Sequence, residues 1–165
     1  MAGRDRSADD RSLADHALRL VDVLGLRAGA DVLSYVALPH EPPTEALNTA
    51  LARAGLRVLL PRTEPDLDLD WSALGAPEAL LGRAAPATAD LVLAPGLAVD
   101  RHRTRLGQGG GSYDRALARL RPGTPVVVVL HPGELVDPGA EPLPREPHDV
   151  PVDGVLTADG FTDLR

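Results

Sequence analysis

Cysteine and lysine are both missing from the 165 residues, and only four side chains are aromatic: Tyr35, Trp71, Tyr113 and Phe161. Without cysteine there are no disulfides, no thiolate nucleophile and no cysteine-based zinc site. Without lysine, a phosphate loop ending in Gly-Lys-Ser/Thr is excluded. Four aromatics are too few for a base-stacking platform. A net charge of −7 also lacks the basic face that nucleic acid or an acidic membrane requires. Uninterrupted apolar runs reach about five residues against the ~20 of a membrane span, so no membrane partner is expected. No basic start leads into an apolar stretch, so no secretory signal is read and the cytoplasm is the expected compartment.

What is present suits one globular domain spanning residues 1–165, with 44% hydrophobic residues and a chain long enough for one sizeable core. The 16 glycines and 16 prolines fall between periodic segments and act as punctuation. Ser7 followed by Asp9 and Asp10 is a helix start. Leu13, Ala17, Leu20, Val21 and Leu24 recur at helical spacing, and Gly25 can end that helix. Residues 31–38 (DVLSYVAL) read as a strand. Thr44 caps a second helix ending at Gly55, and residues 57–60 (RVLL) form a strand stopped by Pro61. The alternation DLDLDW at 66–71 suits an exposed edge strand. A short helix is expected over 76–83 and buried strands over 90–94 and 124–130. A helix over 113–120 and a last strand over 154–157 complete the reading. Helices alternating with continuous apolar strands predict an α/β domain of three layers, a mostly parallel sheet with helices on both faces.

Chemistry concentrates in RHRTRLGQGGGSYDR at 101–115. Gly107, Gly109, Gly110 and Gly111 allow tight turns that expose successive N–H groups. Arg101, Arg103 and Arg105 supply positive charge, and the following helix adds free N–H groups, so a phosphate is the favoured ligand. The plain alternative is a surface loop with incidental arginines. The dinucleotide fingerprint fails at Ser112 and a nucleophile elbow fails at Asp114. Asp114 lies beside the loop, and Asp149 sits in the loop EPHD at 146–149. Two separated carboxylates next to phosphates suit Mg²⁺. His148 is a poorer Mg²⁺ donor and reads as a hydrogen-bonding loop residue.

The order of these segments resembles the 5-formyltetrahydrofolate cyclo-ligase family. LAPGLAVD at 93–100 and RLGQGGGSYD at 105–114 match that family's Pro-Gly turn and its R-L-G-x-G-x-G-x-Y-D motif. YVALPHE at 35–41 with Thr44 and Glu45, LLP at 59–61, and EPHD with Val152, Asp153 and Thr157 match flanking blocks, covering about residues 31–157. The resemblance implies ATP- and Mg²⁺-dependent conversion of 5-formyltetrahydrofolate to 5,10-methenyltetrahydrofolate, with release of ADP and phosphate. It implies ATP binding by Arg105, Leu106, Gly107, Gln108, Gly109, Gly110, Gly111, Ser112 and Tyr113. Folate contacts are implied for Val36, Glu41, Gln108, Gly109, Gly110, Gly111 and Ser112, and Mg²⁺ ligation for Asp114 and Asp149. No catalytic nucleophile is implied, and a monomer is expected.

Gln108 and Ser112 stand where many members carry Tyr or Arg and Tyr. The family's first basic helix is expected to be missing, with Arg4, Arg6 and Arg11 the candidates to replace it. The expected consequence is a recorded start that lies too late or a weaker phosphate site. Two other function classes fit the residues: a non-catalytic folate or nucleotide binder, and a sugar-phosphate isomerase, which would need a positioned base and no ATP.

Overall fold

The computed structural model describes residues 3–165. Helix α1 (Arg6–Leu24) leads into strand β1 (Asp31–Leu33) and helix α2 (Glu45–Arg53). Strands β2 (Arg57–Thr63), β3 (Leu69–Ala73) and β4 (Leu91–Pro95) follow, with a 3-10 turn at Ala85–Thr88 before β4. A small hairpin, β5 (Ala98–Val99) and β6 (Arg105–Leu106), precedes helix α3 (Ser112–Ala118). Strands β7 (Val126–Val129), β8 (Gly154–Thr157) and β9 (Gly160–Asp163) complete the chain.

Seven strands form one sheet in the order β3-β2-β1-β4-β7-β8-β9. The inner five run parallel, and the two outermost strands pair antiparallel. Side chains alternate along each buried strand, so one β7 stretch feeds two cores. Val127 and Val129 join the cluster under α1 and α2, whereas Val126 and Val128 join the cluster on the α3 side. The expected three-layer architecture is therefore observed.

Several local expectations are corrected. Asp5, not Ser7, caps α1, accepting from the N–H groups of Ser7 and Ala8. The strand read over 31–38 stops at Leu33, because the Tyr35 carbonyl accepts from Thr44 and Asn48 in place of a neighbouring strand. Pro61 does not stop β2: β1 pairs only as far as Leu59, and beyond it β2 needs hydrogen bonds to β3 alone. Residues 76–83 form turns and an isolated bridge, not a helix. Gly75 has φ of +87°, and Asp70 Oδ1 accepts from Gly82 N at 2.8 Å, which ties that segment to β3. The β5–β6 hairpin and β9 are too short to carry a periodic signal, and sequence reasoning missed them.

Candidate active site

The carboxyl ends of the parallel strands open into a cleft, as open α/β sheets favour. Below it, Thr44 braces the segment after β1: its hydroxyl accepts from Ala37 N at 3.1 Å and donates to the Tyr35 carbonyl at 2.8 Å. This brace leaves Val36 71% exposed and turns Glu41 inward, where it is buried. Glu41 Oε2 accepts from Leu38 N at 2.7 Å, and Oε1 accepts from Gln108 Nε2 at 3.3 Å. One wall of the cleft is thereby joined to the glycine loop on the other.

Gly109, Gly110 and Gly111 have φ of +96°, +81° and +70°, three consecutive left-handed residues that glycine adopts without steric cost. A Cβ on Gly107 would lie 3.0 Å from Arg105 Nη1, so that glycine makes room for the guanidinium. The Arg105 side chain is 7% exposed. It donates to the Pro95 carbonyl and to Asp114 Oδ1, both at 3.1 Å, and lies 5.7 Å from the centre of the Tyr113 ring. The Tyr35 and Tyr113 hydroxyls are buried without a partner among the described residues. Burial pushes both phenols up, with Glu41 adding to each, so both stay protonated donors.

Asp114 and Asp149, far apart in sequence, meet here. One carboxylate oxygen of each and a ring nitrogen of His148 lie within 4.8 Å of one another. Asp149 Oδ2 accepts from Glu146 N at 2.9 Å, which holds the EPHD loop closed on itself. The cleft encloses about 540 Å³. Every residue that the family resemblance assigned to ATP, folate or Mg²⁺ lines it except Gly110, which turns toward Leu67.

Three readings of the loop change. Of the three arginines, only Arg105 lines the cleft. Arg103 donates to the Val152 carbonyl at 2.6 Å and to Asp153 at 2.5 Å, away from it. Helix α3 has seven residues, about two turns, so its dipole adds little and loop N–H groups carry the cradle. The Ser112 hydroxyl spends its proton on the Leu67 carbonyl. Near the amino terminus, Arg4 pairs with Asp9 and Asp159, and Arg6 donates to the Pro39 and Glu41 carbonyls. Thr63, Leu69 and Pro144 also line the cleft and were not found from sequence. For Thr63 and Leu69 the edge-strand pattern at 66–71 was the one usable signal, through the hairpin it implies; Pro144 had none.

The family model for the 5-formyltetrahydrofolate cyclo-ligase family matches residues 1–158. The chain belongs to this family. A 5-formyltetrahydrofolate cyclo-ligase of Mycolicibacterium smegmatis is 38% identical over 148 residues, spanning 79% of this chain and 74% of the relative. The enzyme of that name in Escherichia coli (strain K12) is 30% identical over 143 residues, 76% of each chain. The fold is similar to that of a 5,10-methenyltetrahydrofolate synthetase from Mycoplasma pneumoniae, with a TM-score of 0.72 and 20% identity over 93% of this chain and 87% of that one. Family membership makes the chain an ATP-dependent ligase of folate chemistry, and the isomerase and non-catalytic readings are not favoured. No helix among the described residues is long and apolar enough to cross a membrane.

Proposed function

We propose that this cleft binds ATP on the glycine loop and 5-formyltetrahydrofolate against Glu41 and Val36, and closes the folate ring between N5 and N10. The observation that carries the reading is convergence: the loop, buried Arg105, buried Glu41 and the Asp114–Asp149 pair share one cleft. In the first step the formyl oxygen attacks the γ-phosphorus of ATP, an O–P bond forms and ADP leaves. N10 then attacks the activated carbon. Hydrogenphosphate departs with the former formyl oxygen and the N10 proton, leaving 5,10-methenyltetrahydrofolate.

No protein nucleophile is needed, so the chain contributes positioning and electrostatics. Loop N–H groups from Gly107 to Tyr113 donate to the phosphate oxygens. Arg105, fixed by Pro95 and Asp114, places a desolvated positive charge where phosphate charge builds. Glu41 offers its carboxylate to N–H donors of the folate ring. Gln108, tied to Glu41, sets the distance between the two substrates.

The donor set fits Mg²⁺: two carboxylates that a hard cation can share with phosphate oxygens and water. When bound there, the ion would neutralise triphosphate charge. His148, a weaker donor for such an ion, remains a hydrogen-bonding neighbour.

The test is formation of 5,10-methenyltetrahydrofolate from the 5-formyl compound, with and without ATP and Mg²⁺. Product is expected only when both are present. Binding of both substrates without turnover would instead support a non-catalytic relative, and turnover without ATP would reject the phosphoryl step.

A further inference from the structure

The tip of the β2–β3 hairpin, residues 64–68, is tied to both ends of α3. Leu67 is held at φ of +68°, a left-handed backbone that a leucine rarely adopts. Its carbonyl accepts from the hydroxyl of Ser112, the first residue of α3. Its Cδ1 lies 3.6 Å from where a Cβ on Gly110 would stand. Asp68, the next residue, is buried and accepts from both terminal nitrogens of Arg119, each at 2.7 Å. Arg119 caps the other end of α3. Arg83 steadies the tip from behind, with contacts to Glu64 at 2.6 Å, Asp66 at 3.0 Å and Asp68 at 3.2 Å.

Helix α3 needs such support. It has seven residues, of which only Ala116 and Leu117 are buried, and a helix that short is not stable alone. The glycine loop runs directly into it. Core packing therefore fixes the loop weakly, whereas the hairpin tip grips it at one point and the far end of its helix at another.

We propose that Leu67 and Asp68 are positioning residues for the nucleotide: together with Arg119 and the Ser112 hydroxyl they form a strap that holds the glycine loop in the shape that receives ATP phosphates. The strap assigns the Ser112 hydroxyl a structural partner, and it gives the strained backbone at Leu67 a function, since that conformation aims the carbonyl at Ser112. It rests on the reading that ATP occupies the glycine loop.

The experiment uses Asp68→Asn and Ser112→Ala, singly and together, in the full chain, with KM for ATP, KM for 5-formyltetrahydrofolate, kcat and thermal midpoint measured. Each single variant is expected to raise KM for ATP about tenfold, the loss of one charged or buried hydrogen-bonded contact. In Asp68→Asn the folate KM stays unchanged. The double variant is expected to fall short of the product of the two effects, because either change opens the same strap. Ser112→Thr, which keeps the hydroxyl, should restore ATP binding. Ser112 is partly exposed, so Ser112→Ala reads the strap even if Asp68→Asn does not fold. A lower thermal midpoint with unchanged KM for ATP in both variants would overturn the proposal, as would fully independent effects. Gly109→Val separates the two levels of the argument, since Gly109 lines the cleft and touches no strap residue. If it loses ATP affinity while Asp68→Asn and Ser112→Ala do not, the strap alone is wrong. If all three leave ATP affinity intact, the glycine-loop reading fails and the strap falls with it.

Discussion

At the amino-terminal ends of the parallel strands every prominent carboxylate is already spoken for, whereas at the carboxyl ends charged groups converge on open space. Asp31, opening β1, accepts from Arg57 at 2.7 and 2.8 Å and from the Thr88 hydroxyl at 2.7 Å. Asp90, before β4, takes Arg121 and the Asp31 N–H; Asp153, before β8, takes Arg103 and the Val126 N–H. Each of these acids ties a strand start to its neighbour. At the opposite end, Arg105, Asp114, Asp149 and Glu41 all face one cleft. The same residue types therefore do two jobs, and what separates them is whether they tie one strand start to the next or line an open cleft.

The comparison breaks most sharply at the two acids proposed to hold Mg²⁺. Asp114→Asn and Asp149→Asn each remove a charge with almost no change of volume. Turnover is expected to fall about a hundredfold, in line with lost metal ligation, while the thermal midpoint barely moves. A parallel fall in stability would place these acids with the structural set. Next in size is Gly109→Val, which forces a β-branched residue to φ of +96° within the cradle. ATP affinity is expected to drop by more than about tenfold, with folding less affected. Arg105→Ala should follow, raising KM for ATP about tenfold by removing one charge-assisted contact. An unchanged KM would mean that Arg105 serves only Asp114 and Pro95.

These predictions rest on residues that were unevenly visible in the sequence. The glycine loop and its acid were legible because Arg105 to Asp114 are contiguous, and their conformational demands are written in the residue types. The parallel sheet was legible because its strands are buried on both faces and read as unbroken apolar runs. Asp149 was paired with Asp114 from residue type and then from resemblance, with no local signal for their meeting, since the two are brought together by tertiary folding. The strap was invisible for the same reason: Leu67, Asp68 and Arg119 carry no local signature, and their meeting depends on the register that places the β2–β3 tip over α3. The arginine cluster misled because charge composition does not record direction, and the tight 100–104 turn points Arg103 toward Asp153. Helix 76–83 misled because local propensity was outweighed by hydrogen bonds from that segment back to β3.

The smallest expected effect lies at the amino-terminal end, and pH can isolate it. Hydrogen bonds from Arg57 hold the Asp31 carboxyl below its ordinary value, against the opposing cost of burial, with Thr88 adding to the lowering. A carboxyl depressed in the folded state stabilises the fold above its unfolded pKa, about 3.9, and that contribution disappears as pH falls through the folded value. Asp31→Asn should therefore cost about 1 kcal/mol near neutral pH, a small figure because the Arg57 side chain is 46% exposed and water screens the pair. For a chain of this size that is a shift of roughly 2–4 °C in thermal midpoint. Midpoints of the protein and the variant, followed from neutral pH into acid, should converge below pH 4, because the protonated wild-type carboxyl then resembles the amide. Both KM values should be unchanged at every pH where the fold persists, since Asp31 sits at the end of the sheet remote from the cleft. A gap that stays constant into acid would assign the loss to packing and not to charge, and a raised KM for either substrate would mean that the two ends of the sheet are coupled.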